Sequence, residues 1–280
     1  MDLNTRRHTR GKAKPSWHEA PMIPEERWLL ETLRPLGDAE RAVWSKAYMK
    51  SALDFLGCSN AQVHAAARTL CRERPLDRAR LLQVVDALFA SRCWEVRQAA
   101  VDVLDRKQKL LTAQDLPFVI ALVRRGACWA FVDHLACHVA GGVLERAPEH
   151  LGVLDVWAAD PDFWVRRTAL LAQERTLKRG GGDFERFARL ATPMLEEKEF
   201  FIRKAIGWVL RETSKKRPEL VRRYLEAHVD RVSGLTLREA MKHLPFAQQQ
   251  ALLSGRSAAT TPARGPGAAP RRPAGRAART

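Results

Sequence analysis

Apolar residues recur along this chain at spacings of three and four, the period of helices with one buried face, whereas strand-like alternation is scarce. Helix breakers separate these segments at regular intervals: Pro35, Gly37, Pro75, Pro117, Pro148, Pro161, Pro193 and Pro218. Two segments open with N-terminal capping residues, Thr112 with Asp115 before Pro117, and Asp160-Pro161-Asp162 before Phe163. The pattern predicts an all-α protein with essentially no sheet.

An internal repeat runs through the helical segments. In each repeat an apolar residue is followed directly by a polar or charged residue, whose position is called here the slot. Ala often lies three residues after the slot. The six slots are His64, Arg97, Asp133, Arg166, Arg203 and Arg238, and the residues before them are 33, 36, 33, 37 and 35 residues apart. This period fits a stacked two-helix unit of the HEAT-like type. We expect a right-handed solenoid of about six helical pairs across residues 24–253, with a concave cationic face.

The composition indicates one globular domain between two tails. Of the 280 residues, 46% are hydrophobic and 29% are charged, as in folded proteins. Residues 1–20 and the Ala/Pro/Gly/Arg-rich residues 255–280 are predicted to be disordered, which leaves 21–254 as the repeat domain. No apolar run is long enough for a membrane span, and no secretory signal is present. Five cysteines without a CxxC pair indicate reduced thiols, so we expect a cytoplasmic protein. We also expect it to be a monomer.

The net charge of +16 points to a polyanionic partner. Residues 255–280 carry six Arg and no acid, and residues 1–20 carry five basic against two acidic residues. The remaining +7 belongs to residues 21–254, so the positive field does not come from the tails alone. The alternative is a soluble protein that is merely basic.

The segment from Phe200 to about Lys215 predicts a helix with two distinct faces. Its core side carries Ile202, Ile206, Val209 and Thr213, and its other face carries Phe201, Lys204, Trp208, Arg211 and Lys215. Alternating aromatic and basic side chains suit a nucleic acid, because cations contact phosphates and an indole packs against sugar or base. In the alternative reading, Trp208 belongs to the core and the cations form a solvated face.

The helix after Asp162 repeats this arrangement, with Trp164, Arg167 and Leu171 on one face. Arg166 and Arg167 point about 100° apart because they are neighbours on a helix. We expect one of them to serve an internal network and the other to clamp a phosphate, although a structural ion pair is the commoner role for an arginine.

Asp133 is the exception among the slots, because four of the other five carry Arg. Trp129 lies four residues earlier on the same helical face, with Phe131 nearby. A carboxylate beside an indole is unfavourable unless it is paired or has a function. Asp133 is therefore a candidate functional group, and the alternative is that it receives an Arg from a neighbouring repeat.

We predict no metal site and no cofactor. His134 and His138 are spaced to share a metal, but position 135 is Leu where a metalloprotease helix has Glu, and Cys137 lies about 100° off their line. Phosphate-loop, dinucleotide and nucleophile-elbow motifs do not occur, and Gly180–Gly182 is interpreted as a turn between helices.

Two stretches, Trp164–Ala169 and Lys198–Glu212, resemble the AlkD-type DNA alkylation repair family of bacterial HEAT-like-repeat DNA glycosylases. Leu235–Leu244 is similar to the C-terminal signature of that family. Tyr48-Met49-Lys50 with Phe55-Leu56-Gly57 is similar to its N-terminal one. The resemblance covers residues 40–250 and implies excision of cationic bases such as 3-methyladenine and 7-methylguanine from duplex DNA, without base flipping.

The resemblance also implies roles for individual residues. The catalytic Asp of the family falls on Asp133, its two sugar-contacting tryptophans on Trp129 and Trp208, its phosphate-contacting Arg on Arg167, and a DNA-contacting Tyr on Tyr48. From the helix faces we add Lys204, Arg211, Phe201 and Trp164 as DNA contacts. The chain departs from the family at Cys128-Trp129-Ala130, where Trp-Trp-Asp is usual. Competing hypotheses are a non-catalytic DNA-binding or scaffold protein and a protein-binding solenoid.

Overall fold

The structure, a computed structural model, describes residues 22–260, with side chains to residue 256. Its α-helices are α1 (Pro24–Leu33), α2 (Ala39–Met49), α3 (Asn60–Glu73), α4 (Arg78–Phe89), α5 (Trp94–Arg106), α6 (Leu116–Gly126), α7 (Trp129–His134), α8 (Gly141–Arg146), α9 (Val153–Ala158), α10 (Phe163–Leu171), α11 (Glu174–Lys178), α12 (Phe184–Ala191), α13 (Phe200–Ser214), α14 (Pro218–Ala227), α15 (Gly234–Ala240) and α16 (Phe246–Thr260). Within residues 22–260 no strand forms, and the one β-type pairing is an isolated bridge between Asp54 and Cys93. The all-α prediction is confirmed.

A π-helical segment, Leu135–Ala140, joins α7 to α8, so that Trp129–Arg146 is one continuous helix. π-helical turns are rare and often occur at functional sites. This one follows Asp133 directly, at the middle of the chain.

The predicted helix starts are present. The backbone N–H of Thr112 donates to the Asp115 carboxylate over 2.9 Å at a short 3₁₀ turn, and α6 follows immediately. At α10, the Asp162 carboxylate accepts from the backbone N–H of Trp164, also over 2.9 Å. Each side chain satisfies a backbone donor that has no partner inside its helix.

The six slot residues lie on six helices that form one row. These helices, α3, α5, α7, α10, α13 and α15, pack one against the next in chain order. Helices of a second row, among them α1, α4, α6, α9 and α14, pack against them. This is the two-row order that the repeat predicts. The right-handed twist, the concave shape and the number of pairs stay predictions.

Three of the four slot arginines have a common structural role. Arg97 donates to the carbonyl of Ser91 over 2.6 Å, Arg166 to that of Asp160 over 2.8 Å, and Arg203 to that of Glu197 over 2.6 Å. Each carbonyl lies six residues before its arginine, in the turn that leads into the slot helix. The side chain therefore braces the turn at the start of its own repeat.

Helix α16 extends past residue 254, the predicted C-terminal end of the repeat domain. Residues 255–260, assigned to a disordered tail, continue α16 to Thr260. Arg256 anchors this helix by donating to the carbonyl of Val232 over 2.6 Å. Alanine favours helix, and the first proline of the segment is Pro262. The rest of that tail and the N-terminal tail lie outside the described residues.

Among residues 22–260, no helix combines the length and the apolar character needed to cross a membrane.

Candidate functional site

Most of the predicted site residues meet in one cleft of about 570 Å³, called here the central cleft. Its lining residues are Tyr48, Trp129, Asp133, Arg167, Phe200, Phe201, Lys204, Trp208, Arg211 and Glu239. They come from α2, α7, α10, α13 and α15, so four slot helices contribute to it. A second cavity of about 370 Å³ adjoins it and shares Trp129, Asp133 and Trp208. Asp133 therefore lies between two open spaces and next to two indoles.

Asp133 and Arg167 form a two-pronged ion pair inside the cleft. Nε of Arg167 donates to one carboxylate oxygen over 2.7 Å, and Nη2 donates to the other over 2.8 Å. Nη1 donates to the backbone carbonyl of Phe201. The Arg167 side chain is 4% exposed and that of Asp133 is 18% exposed. The arginine is buried and fixes a carboxylate that still reaches the cleft.

The two adjacent arginines point in different directions, as expected, and make different contacts. Arg166 serves the internal network, donating to the Glu197 carboxylate over 3.1 and 2.7 Å as well as bracing its turn. Arg167 points elsewhere and donates to Asp133 and to the carbonyl of Phe201, and its phosphate contact stays a prediction. The Asp133–Arg167 pair matches the alternative that the sequence left open, in which Asp133 receives an arginine from a neighbouring repeat.

Trp129 is the first residue of α7 and is partly buried. Tyr48 on α2 meets it edge-to-face, with ring centroids 6.4 Å apart, and Trp44 stacks on Tyr48 at 5.0 Å. Tyr48 is 57% exposed and Trp44 is 63% exposed. Exposed aromatic rings are thus continuous with the indole that faces Asp133. The sequence interpretation missed Trp44, although it precedes Tyr48 by one helical turn.

Helix α13 is as predicted, running from Phe200 to Ser214 with Ile202, Ile206, Val209 and Thr213 fully buried. The face carrying Phe201, Lys204, Trp208 and Arg211 lines the central cleft, so Trp208 is not a core residue.

On α10, by contrast, the predicted open face is buried. Trp164 is 8% exposed and packs on Phe201, with ring centroids 4.8 Å apart. Its predicted DNA contact is corrected to a packing role behind Phe201.

Buried glutamates hold the cations of the cleft in place. Glu239, 5% exposed, accepts from Arg211, from Lys204 over 3.3 Å and from Lys242 over 2.9 Å. Burial, followed by repulsion from Lys242 and Arg211, lowers the pKa of Lys204. More cations than carboxylates meet at this point, so the group stays positive towards the cleft.

Glu212 organises a second such group next to the adjoining cavity. It accepts from Arg211 over 3.0 Å and from Lys215 over 2.7 Å, and Lys178 lies 3.4 Å away. Burial alone raises the pKa of Glu212, but the hydrogen bonds from Lys215 and Arg211 outweigh it and the net shift is downward. Glu212 therefore stays ionised, and the cations around it keep a fixed position.

Comparisons with known proteins agree with this architecture. A family model for DNA alkylation repair enzymes matches residues 29–244, so the chain belongs to the DNA alkylation repair enzyme family. Membership of this family implies that DNA is the partner of the protein and that the protein acts in the repair of alkylated DNA. No curated protein matches the chain.

Solved structures similar to this chain include three from bacteria. A protein of Enterococcus faecalis described as a predicted DNA alkylation repair enzyme is 26% identical, with a TM-score of 0.69 over 75% of this chain and 97% of that one. The protein smu.31 of Streptococcus mutans is 18% identical, with a TM-score of 0.52 over 74% and 98%, and shares the fold. AlkD2 of Streptococcus mutans is 18% identical, with a TM-score of 0.49 over 79% and 98%.

Proposed function

We propose that this protein is a DNA glycosylase that hydrolyses the N-glycosidic bond of cationic alkylated purines, such as 3-methyladenine and 7-methylguanine, in duplex DNA. The observation that carries the proposal is the position of Asp133. Its carboxylate is fixed from behind by Arg167, remains 18% exposed, and lies in a cleft lined by Trp129 and Trp208.

The chemistry needs little more than this arrangement. A purine alkylated at N3 or N7 already carries a positive charge, so it can leave without a general acid. Positive charge then develops on the sugar, and a nearby carboxylate stabilises it. The electron-rich faces of Trp129 and Trp208 attract the same charge. Asp133 can also orient or deprotonate the attacking water.

The ion pair with Arg167 is compatible with this role. A carboxylate has about four acceptor positions, and the two bonds from Arg167 occupy one on each oxygen. The remaining positions are available to the sugar and to water. Arg167 fixes the orientation of the Asp133 carboxylate, and its remaining N–H groups can also face the DNA backbone.

Binding of the duplex rests on the cleft cations and the exposed rings. Lys204 and Arg211 neutralise phosphates, while Tyr48 and Phe201 pack against the sugar-phosphate backbone. The central cleft is open, so the lesion can stay stacked while its sugar meets Asp133. Excision without base flipping follows from such an open site.

The experiment is incubation with methylated duplex DNA and chromatography of the released bases. We expect release of 3-methyladenine and 7-methylguanine with time and enzyme concentration, while undamaged purines stay in the polymer. Binding of the same DNA without any base release would overturn the glycosylase proposal.

A second candidate function is non-catalytic DNA binding. The two-pronged pairing of Asp133 with Arg167 favours it, because such a pair can be purely structural. The base-release assay separates the two candidates, since a binder leaves every glycosidic bond intact.

A further inference from the structure

A cluster of histidines and aspartates lies beside the central cleft, on α5 and on the continuous helix Trp129–Arg146. Nε2 of His134 lies 2.9 Å from a carboxylate oxygen of Asp105, and Nδ1 of His138 lies 3.7 Å from the same oxygen. One ligand atom from each of these three residues lies within 4.8 Å of the other two. From this geometry we propose that Asp105, His134 and His138 bind a divalent transition-metal ion, with Zn²⁺ as the best fit.

The distances suit such an ion with small side-chain adjustments. Zinc binds imidazole nitrogen at about 2.0–2.1 Å and carboxylate oxygen at about 2.0–2.2 Å, so ligand atoms in a tetrahedral site lie roughly 3.3 Å apart. The two separations found, 2.9 and 3.7 Å, bracket this value. Two histidines and one carboxylate are a common zinc set that leaves a position for water.

The second feature is a buried carboxylate behind the first. Asp102 is 3% exposed; one of its oxygens lies 3.6 Å from Nδ1 of His134 and the other lies 2.5 Å from Nδ1 of His64. Metal-binding histidines usually direct their second ring nitrogen at a carboxylate, which fixes the tautomer and the ring. Asp102 is placed to do this for His134, leaving Nε2 for the metal.

Access to the cluster also fits. His134 and Asp105 line a cavity of about 340 Å³, while His138 lines the cavity that adjoins the central cleft. An ion can therefore enter, and water can complete its shell.

The sequence interpretation rejected a metal because it looked for the third ligand on the same helix. Asp105 lies 29 residues before His134 and comes from the neighbouring slot helix. The π-helical turn that follows His134 brings the His138 ring to 4.9 Å from that of His134. The site is assembled by packing between two repeats.

The test is Zn²⁺ titration of the full chain, freed of metal, against a chromophoric chelator. Co²⁺ serves as a spectroscopic probe of the ligands. We expect one tight equivalent in the wild type and a loss of roughly a hundredfold or more in affinity for His138→Ala, since even outer-shell changes cost about 10–100-fold. Asp102 would not contact the metal itself, so we expect Asp102→Asn to weaken Zn²⁺ binding by about 10–100-fold.

His150→Ala is the matched control, because His150 is similarly exposed and also lies next to a carboxylate, that of Glu149, but outside the cluster. It should bind Zn²⁺ as the wild type does. Thermal melting verifies that each variant is folded. Equal Zn²⁺ affinity of folded His138→Ala and wild type, or absence of a tight equivalent in the wild type, would overturn the proposal. Neither result depends on glycosylase activity.

Discussion

A carboxylate stands at slot 133, where four other repeats carry a guanidinium, and this exchange redirects the contacts of two repeats. The slot arginines at 97, 166 and 203 turn back to brace their own repeat. Asp133 is an acceptor and reaches forward to Arg167 instead. One substitution in a repeating pattern thus places a negative charge in a cleft surrounded by cations.

Asp133→Asn tests whether this charge performs chemistry. We expect base release at saturating DNA to fall by about 10²–10³, since one such electrostatic contact is worth roughly 3–4 kcal/mol. DNA binding should hold or improve, because a negative charge facing phosphates is removed. The free energy of unfolding should also fall by about 3 kcal/mol, because Arg167 loses its charged partner in a buried position.

Glu197→Gln is the matched control for that loss of stability. It removes the carboxylate from the analogous two-pronged pair with Arg166, away from the cleft. Thermal melting should report a similar loss of stability, with base release per folded molecule unchanged. If both variants release bases at the wild-type rate per folded molecule, Asp133 has only a structural role.

Arg167→Ala should impair base release more than Arg166→Ala does, each measured per folded molecule. The first leaves Asp133 without the group that orients it, while the second loses a brace and the Glu197 pair. Arg167→Ala should also weaken DNA binding, because the carboxylate is then unneutralised. Fluorescence anisotropy and the base-release assay on the same preparations give both quantities, and equal effects would make Arg167 one more structural arginine.

At the residue scale, the sequence could identify Asp133 but not its surroundings. The repeat marks the slot because the period is regular. The choice of Arg167 over Arg166 as its partner depends on the rotation of α10 relative to α7, which no local pattern encodes. The same holds for Asp105 and His134, which meet only through packing between repeats.

At the scale of elements, capping residues and periodicity in the sequence predict where a helix lies in the chain. They do not predict which other helices pack against it. Capping at Thr112 and Asp162 and the periodicity of α13 were enough to locate those helices. The exposed face of α10 was misassigned because α6, α7, α9, α12 and α13 all pack against it. A helix enclosed on several sides has no solvent face that its own periodicity can reveal, so Trp164 looked available and is buried.

Gly207 permits the close packing of α13 against α15. A Cβ atom there would lie 2.7 Å from Cβ of Glu239 and 3.1 Å from the carbonyl oxygen of Thr236. Gly207→Ala should therefore lower the free energy of unfolding by about 1–3 kcal/mol. It should also displace Glu239 and loosen Lys204 and Arg211, which weakens DNA binding.

Thermal melting and DNA titration measure the two effects of Gly207→Ala. Gly152→Ala is the control, since nothing lies within 4 Å of a Cβ built there. It should leave both quantities near the wild-type values. If Gly207→Ala is destabilised but binds DNA as tightly as the wild type, the position of Glu239 does not affect DNA binding.

At the scale of the whole molecule, positive charge is both spread over the chain and locally ordered. Net charge alone predicts a polyanionic partner, but not that Glu212 and Glu239 anchor the cations of the cleft. The sequence does not reveal why a buried position carries glutamate. In the structure, these two glutamates accept hydrogen bonds from lysines and arginines and so hold them at one surface.

The five arginines of residues 261–280 should add non-specific DNA affinity. Replacing them with Gln keeps the length and removes the charge. The slope of log affinity against log salt should then become shallower by up to about 4.5, because each phosphate contact contributes about 0.9. Base release at saturating protein should not change. An unchanged salt slope would show that these arginines do not contact DNA.

The exchange at slot 133 has one more consequence, for the motions of the chain. Arg97, Arg166 and Arg203 each tie down the turn before their helix, whereas Asp133 pairs with Arg167 and gives the carbonyl of Ala127 no such brace. Ala127 also has a left-handed backbone, with φ of 39°. The turn that presents Trp129 should thus open more readily than its three counterparts. Its amides should exchange with deuterium faster than those around Ser91, Asp160 and Glu197, and slow down when bound DNA covers it.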